Sequence, residues 1–226
     1  MLGTVVNVIA IICGGTLGLL LKKGIPERIG DTVMKGLGLC VLYVGITGAI
    51  KGENTLVMIL SIVLGAFIGE GIELDDKLNQ LGKKLEDRLK KDGSKNSIAE
   101  GFVTSSLLFC VGALAIVGPL QGGLQGNYET LYTKSMIDGI TAIIFASSLG
   151  VGVLFSSVLV FLYQGSITLL ATWIAPYLNE VVIREMTCVG SLLIIGLAFN
   201  MLGITKLKVM NYLPGIFISI ILVMIM

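Results

Sequence analysis

Residues 2–21, LGTVVNVIAIICGGTLGLLL, run for 20 positions without a charged side chain. A helix of that length reaches about 30 Å at roughly 1.5 Å per residue, enough to cross the hydrocarbon of a bilayer. The run has neither a basic n-region ahead of it nor a convincing cleavage site, so it reads as a retained helix and not as a signal peptide. Further apolar stretches follow at 32–50, 55–73, 98–118, 136–151, 153–173, 187–204 and 209–226. Charged residues make up 14% of the chain and hydrophobic residues 54%, where a soluble domain carries about 25% charged residues. The sequence predicts an all-α, polytopic membrane protein with about eight transmembrane helices.

On an eight-span path, Lys22, Lys23, Arg28, the cluster from Lys77 to Lys95, Lys206 and Lys208 share one side, against Lys51, Lys134 and Arg184 on the other. The basic side is the cytoplasmic one, which puts both termini outside a bacterial cytoplasmic membrane. The stretch from Lys134 to Trp173 is barely long enough for two crossings. It requires a tight turn near Gly150–Gly152 or a re-entrant segment. Between the third and fourth runs, LDDKLNQLGKKLEDRLKK (74–91) spaces Leu74, Leu78, Leu81, Leu85 and Leu89 at four and three residues, one apolar stripe on a charged cytoplasmic helix. That stripe fits a helix resting on the protein or on lipid headgroups, and it also fits self-association.

The apolar segments carry a repeat. At an offset of 150 residues Asn7 aligns with Ser157, Gly15 with Gly165, Thr16 with Ser166 and Pro26 with Pro176. Beyond the prolines the offset grows by five, and GAIK (48–51) aligns with GITK (203–206). Five spans separate the two starts, so the second copy is inverted. The resulting organisation is a first three-helix membrane repeat (1–73), a cytoplasmic amphipathic helix and linker (74–97), a central two-helix unit or hairpin (98–151) and a second, inverted three-helix repeat (152–226). Inverted repeats recur in secondary transporters and occur in some channels.

An ionisable side chain at the bilayer centre costs about 2.5–3.5 kcal/mol on insertion scales, which singles out Asp138 in KSMIDGITAIIFASSLGVGV (134–153). It can be an acidic residue in a first helical turn, favoured by the helix dipole and paired with Lys134 four residues earlier. It can equally be a cation or proton site at the mouth of a polar pathway continued by Ser147, Ser148, Ser156 and Ser157. Asn7, Gln164 and Asn200 are neutral polar groups in the first, sixth and seventh spans, where each needs a hydrogen-bonding partner. Together they outline a shared polar interior. Glu70 reads as interfacial, Arg184 and Glu185 as an outer helix start, and Asn211 with Pro214 as a kink in the last span. Gly14-x-x-x-Gly18 and Gly65-x-x-x-Gly69 permit close helix contact; the glycine-rich helices and the leucine stripe make a homo-oligomer the expectation.

Several chemistries are excluded. The chain has no histidine, which removes Ser-His hydrolysis and histidine-bound haem or zinc. Cys13, Cys40, Cys110 and Cys188 contain no C-x-x-C pair and read as buried packing residues. GPLQGGLQGN (118–127) reads as part of a glycine-rich loop over 119–134 and lacks the G-K-[ST] ending of a phosphate loop. A net charge of +1 gives no general attraction to nucleic acid. No cofactor, no metal site and no enzymatic activity are expected.

FCVGALAIVGPLQGGLQGN (109–127), followed by LYTKSMIDGITAIIFASSLGVGVLFSSVLVFLYQG (131–165), resembles the YqgA-like family of bacterial integral membrane proteins, a domain of unknown function. GTVVNVIAIICGGTLGLLLKKGIPERI (3–29) and GLAFNMLGITKLKVMNYLPGIF (196–217) extend the likeness to nearly the whole chain. The resemblance implies a membrane protein, places Lys134, Asp138, Gln164, Asn7 and Asn200 within the family pattern, and implies no substrate. Where the family pattern has an acidic residue in a GSLEDGL-like loop, this chain has Gln121 and Gly122. The expected function is a transporter or channel-like permease for a small ion or polar solute. Its route would be lined by Asp138, Asn7, Gln164, Asn200, Ser147, Ser148 and Ser157, with Lys134 beside Asp138. The alternative is a non-transporting scaffold or regulator acting through 74–95. An enzyme acting on lipid would need paired acidic or nucleophilic groups on one wall, which the sequence does not show.

Overall fold

A computed structural model describes residues 1–22, 27–77, 79–80, 98–112 and 114–226. Among these the chain is helical and contains no strand: α1 (Leu2–Lys22), α2 (Glu27–Ala49), α3 (Thr55–Gly71), α4 (Ile98–Cys110), α5 (Leu114–Leu124), α6 (Glu129–Leu149), α7 (Gly152–Leu169), α8 (Glu180–Met201) and α9 (Pro214–Ile225). Of the leucine stripe, only Leu74 falls among the described residues.

Among the described residues four helices are long and apolar enough to cross a membrane, over Leu2–Leu21, Asp31–Ala49, Gly152–Leu169 and Glu180–Met201. The pair α4 and α5, bent by 59° at a short break, makes a fifth if counted as one span. Among the described residues the chain therefore does not form eight full-length apolar helices. α3 stops at 17 residues. The last run is split into a 3-10 turn (Val209–Tyr212) and α9. There Pro214, which has no N–H to donate, opens a new helix, so the expected kink is a restart. α6 has the length, 21 residues, but carries both Lys134 and Asp138.

Two expectations about helix boundaries are corrected. Much of the supposed loop over 119–134 is helix, because α5 continues to Leu124 and α6 begins at Glu129. The glycines there serve close packing: a Cβ on Gly118 would press on Leu131, and one on Gly123 would strike the Thr168 carbonyl. The seventh run begins at Glu180 and not at 187, capped by the Asn179 side chain accepting from Val182 N at 3.0 Å. The turn between α6 and α7 lies where the chain length demands it, with Gly150 at φ +83°. Cys13 and Cys40 are exposed, against the expectation of four buried cysteines; Cys188 is buried and Cys110 partly so.

The chain packs as two compact units. One holds α1, α4, α5, α6 and α7. In it α1 runs parallel to α6, with Gly3 against Leu131, Gly14 against the Gly139 carbonyl and Gly18 against the Ile143 carbonyl. α1 runs antiparallel to α7, with Thr4 opposite Thr168 and Gly15 against Leu154. The other unit holds α2 from Lys35 onward, α3, α8 and α9. There α2 and α8 are antiparallel, with Gly38 on Leu202 and Gly48 on Ser191. α3 and α9 are also antiparallel, with Gly65 on Gly215 and Gly69 just beyond, on the Asn211 carbonyl. Both G-x-x-x-G steps are thus used within units and carry no argument for an oligomer.

These contacts predict that Gly14→Ala and Gly69→Ala each cost about 1–3 kcal/mol by overpacking, read as a lower melting temperature in detergent. A Cβ on Gly36 meets nothing within 4 Å, so Gly36→Ala should melt no lower than the parent. Equal melting of all three variants would remove close backbone packing as their role.

Candidate functional site

Asp138 lies nine residues into α6, about 14 Å from the helix start. The reading of Asp138 as a first-turn residue is thereby corrected: it sits near the middle of the helix, 3% exposed. Helical periodicity places Lys134 one turn before it on the same face, and Lys134 Nζ stands 2.9 Å from Asp138 Oδ1 and 2.8 Å from Oδ2. The carboxylate is clamped through both oxygens, so the charge expected of Asp138 is compensated within its own helix.

The close approach of α1 at Gly14 and Gly18 brings Asn7 to this pair. Asn7 Nδ2 donates to Asp138 Oδ2 at 3.0 Å and to Gln164 Oε1 at 3.2 Å. Asn7 and Gln164 are both completely buried. Asn7 Oδ1 and Gln164 Nε2 have no hydrogen-bond partner among the described residues. Toward the start of α1, the Thr4 and Thr168 hydroxyls meet at 3.4 Å. Cys110, the last residue of α4, lies within electrostatic reach of Lys134 and Asp138.

The structure thus brings together Asn7, Lys134, Asp138 and Gln164 from α1, α6 and α7. It does not bring Asn200 to them. Asn200 belongs to the other unit, where its Nδ2 donates to Leu207 O at 2.8 Å and its Oδ1 accepts from Leu207 N and Thr205 Oγ1, each at 2.8 Å. Its amide folds the segment after α8. Ser147 and Ser157 donate to their own helix, at Ile144 O (2.7 Å) and Leu154 O (2.6 Å), and Ser148 is buried.

Polar groups that sequence reading placed at edges prove to be internal ties. Glu185, 1% exposed, accepts from Glu53 N at 3.0 Å, Asn54 N at 3.4 Å and Arg184 Nε at 3.2 Å. It pins the segment between α2 and α3. Asn211 accepts from Asp75 N at 2.8 Å and donates to Glu70 Oε2 at 2.5 Å. Beside it, the hydrogen bond and charge of Asp76 hold the exposed Lys208 ammonium above its ordinary pKa. The signal for Glu185 was present in Asn179: a helix capped there puts Glu185 one turn inside.

Among the described residues, membrane-length apolar helices and a charge-compensated polar cluster at mid-helix are those of a helical membrane protein. The chain belongs to the family described as "Protein of unknown function (DUF554)", whose model matches residues 2–224. It is 36% identical over 222 residues to the "Uncharacterized membrane protein YdfK" of Bacillus subtilis (strain 168), an alignment covering 96% of this chain and 93% of that one. It is 31% identical over 221 residues to the "Uncharacterized protein YqgA" of Escherichia coli (strain K12), covering 96% and 94%. No solved structure gives a significant match.

Removing one partner of a buried ion pair strands the other. Lys134→Met alone should therefore destabilise the protein by about 3–5 kcal/mol. Adding Asp138→Leu to it should restore most of the loss, as read by melting in detergent; additive losses would place the pair in a wet environment. Glu185→Ala leaves two backbone N–H groups without their acceptor and should cost about 1–3 kcal/mol. Hydrogen exchange should speed up at Glu53 and Asn54 specifically.

Proposed function

We propose that the protein is an integral membrane transporter or channel-like permease for a small polar solute or ion, whose route passes the Asn7, Lys134, Asp138 and Gln164 cluster. The observation that carries this reading is the cluster itself. A buried ion pair held at mid-helix in an apolar bundle brings no net stability over apolar side chains of similar volume. Intramembrane charges of this kind mark solute and ion pathways. The bend between α4 and α5 supports the same reading, since discontinuous helices form the substrate sites of inverted-repeat transporters. Thr104 and Ser106, buried on α4 ahead of the break, have hydroxyls with no partner among the described residues.

Eight crossings are part of the proposal. The helices that fall short of a full apolar span are α3, the α4–α5 pair, α6 and α9. These are the short, interrupted or charged segments expected at a transport site. Helix directions support the count: an eight-crossing path makes α1 and α6 parallel, and makes α1 and α7, α2 and α8, and α3 and α9 antiparallel. Each pair runs that way within its unit.

The inverted repeat has similar support. Adding 150 to α1 gives 152–172, against Gly152–Leu169 and the short turn Ala171–Ile174. Adding 155 to α2 and α3 gives 182–204 and 210–226, against Glu180–Met201 and 209–225. The relative named as a membrane protein and the basic residues of the inner side favour a bacterial cytoplasmic membrane with both termini outside. The regulator reading rests on 74–95, most of which lies outside the described residues.

In a cysteine-free background, a cysteine at Glu53 should react with an impermeant maleimide from outside the cell, and one at Lys206 only after permeabilisation. Labelling of both from outside would sink the eight-crossing path. Reconstituted in liposomes, the protein should move at least one small polar solute or ion about tenfold faster than protein-free vesicles; absence of any flux across urea, acetamide, glycerol, sodium, potassium and chloride would end the permease reading.

A further inference from the structure

The four cluster residues leave an unusual remainder. Asn7 must turn Nδ2 toward Asp138, because its carbonyl oxygen would face a carboxylate in the opposite orientation. Gln164 must then turn Oε1 toward Asn7 Nδ2. The atoms left over are fixed by this chain of choices and are not an arbitrary assignment of amide ends. They are one acceptor, Asn7 Oδ1, and one donor, Gln164 Nε2, on adjacent amides that are both completely buried and without partners among the described residues.

The charges beside them are closed to outsiders. Lys134 occupies both oxygens of Asp138, where a free cation would bind. Asp138 likewise occupies the ammonium that would attract an anion. α1 contributes Asn7 and Thr4, and α7 contributes Gln164 and Thr168. α4 contributes Cys110, with Tyr163 of α7 next to it. None of these adds a fixed charge.

Resting on the permease reading above, we infer that the cluster selects an uncharged solute able to accept from Gln164 Nε2 and donate to Asn7 Oδ1. The chemical class is the small carboxamide, urea or polyol. A bare ion would shed its hydration shell to meet a site of zero net charge, whereas an uncharged donor–acceptor solute satisfies both orphan groups. Water fits the same pair of atoms and is the species such a solute replaces.

The test uses full-length protein in liposomes, with urea, acetamide and glycerol followed by stopped-flow light scattering, and sodium, potassium and chloride followed by tracer uptake. At least one uncharged solute should cross about tenfold faster than in protein-free vesicles, with no ion flux. Gln164→Met keeps the volume and removes the unsatisfied donor. It also removes the acceptor of the Asn7 Nδ2 bond, so it should lower that flux by roughly tenfold and lower the melting temperature modestly. A purely structural role for Gln164 would lower the melting temperature while leaving flux per folded protein unchanged.

Ion flux without uncharged-solute flux overturns this inference and leaves the permease reading standing. Permeation of water alone, or full solute flux in Gln164→Met, also overturns it. No flux of any species removes the permease reading and this inference with it.

Discussion

A carboxylate halfway along a helix has to be neutralised before that helix can be buried, and Asp138 is neutralised by the lysine one turn earlier. The two contacts of 2.8 and 2.9 Å use both carboxylate oxygens, so α6 enters the bundle as a neutral dipole and not as an ion. Its neighbours are arranged around that dipole. Asn7 on α1 donates from Nδ2 to the carboxylate, and Gln164 on α7 accepts from the same nitrogen through Oε1. Three helices are thereby tied at one level by side chains whose alternatives in apolar surroundings would cost several kcal/mol per unsatisfied group.

That tie depends on distance between backbones, and glycine sets the distance. Asn7 is a short side chain, so α1 has to lie almost on α6 for the amide to reach. Gly14 and Gly18 allow this by placing the α1 backbone against the Gly139 and Ile143 carbonyls. The same economy of side chains joins Gly69 to Asn211 in the other unit, where the amide of Asn211 links Glu70 to the backbone of Asp75. Close packing at small residues and polar bonds across helices act together here. They are the two sources of association left when lipid surrounds helices as apolar as itself.

How much of this could be read from the sequence varied with the range of the interaction. The helical class, the apolar segments, the turn at Gly150 and the membership of Asn7, Lys134, Asp138 and Gln164 in one polar set follow from local composition and from the cost of burying polar atoms. Boundaries failed where glycine is ambiguous: GPLQGGLQGN has the composition of a loop, yet Gly118, Gly122 and Gly123 sit on a helix and face Leu131, Tyr128 and Thr168. Misplacing the start of α6 then misplaced Asp138 toward a helix end. Asn200 was grouped with the others because an isolated amide gives no sign of its partner. That partner, the segment ending at Leu207, became apparent only once the chain had turned back at Gly203, with φ +75°. Ser147 and Ser157 failed for a related reason: a helical hydroxyl can bond to its own preceding turn and need no partner elsewhere.

The proposed repeat, which relates α1 to α7 by the offset of 150, would make the cluster asymmetric in an informative way. Asn7 corresponds to Ser157 and Gln164 to Gly14. The pair that meets as two amides near the start of α1 would meet, at the mirrored position, as a serine and a glycine. Ser157 there bonds to its own helix, and Gly14 has become the point where α6 approaches. On the proposed repeat, one copy of the motif would supply hydrogen bonds, and the other the room that lets a helix from outside the repeat bring in its ion pair. A symmetric pair of helices could not do both with the same residues, so the proposed repeat requires positions 7 and 14 to differ from 157 and 164.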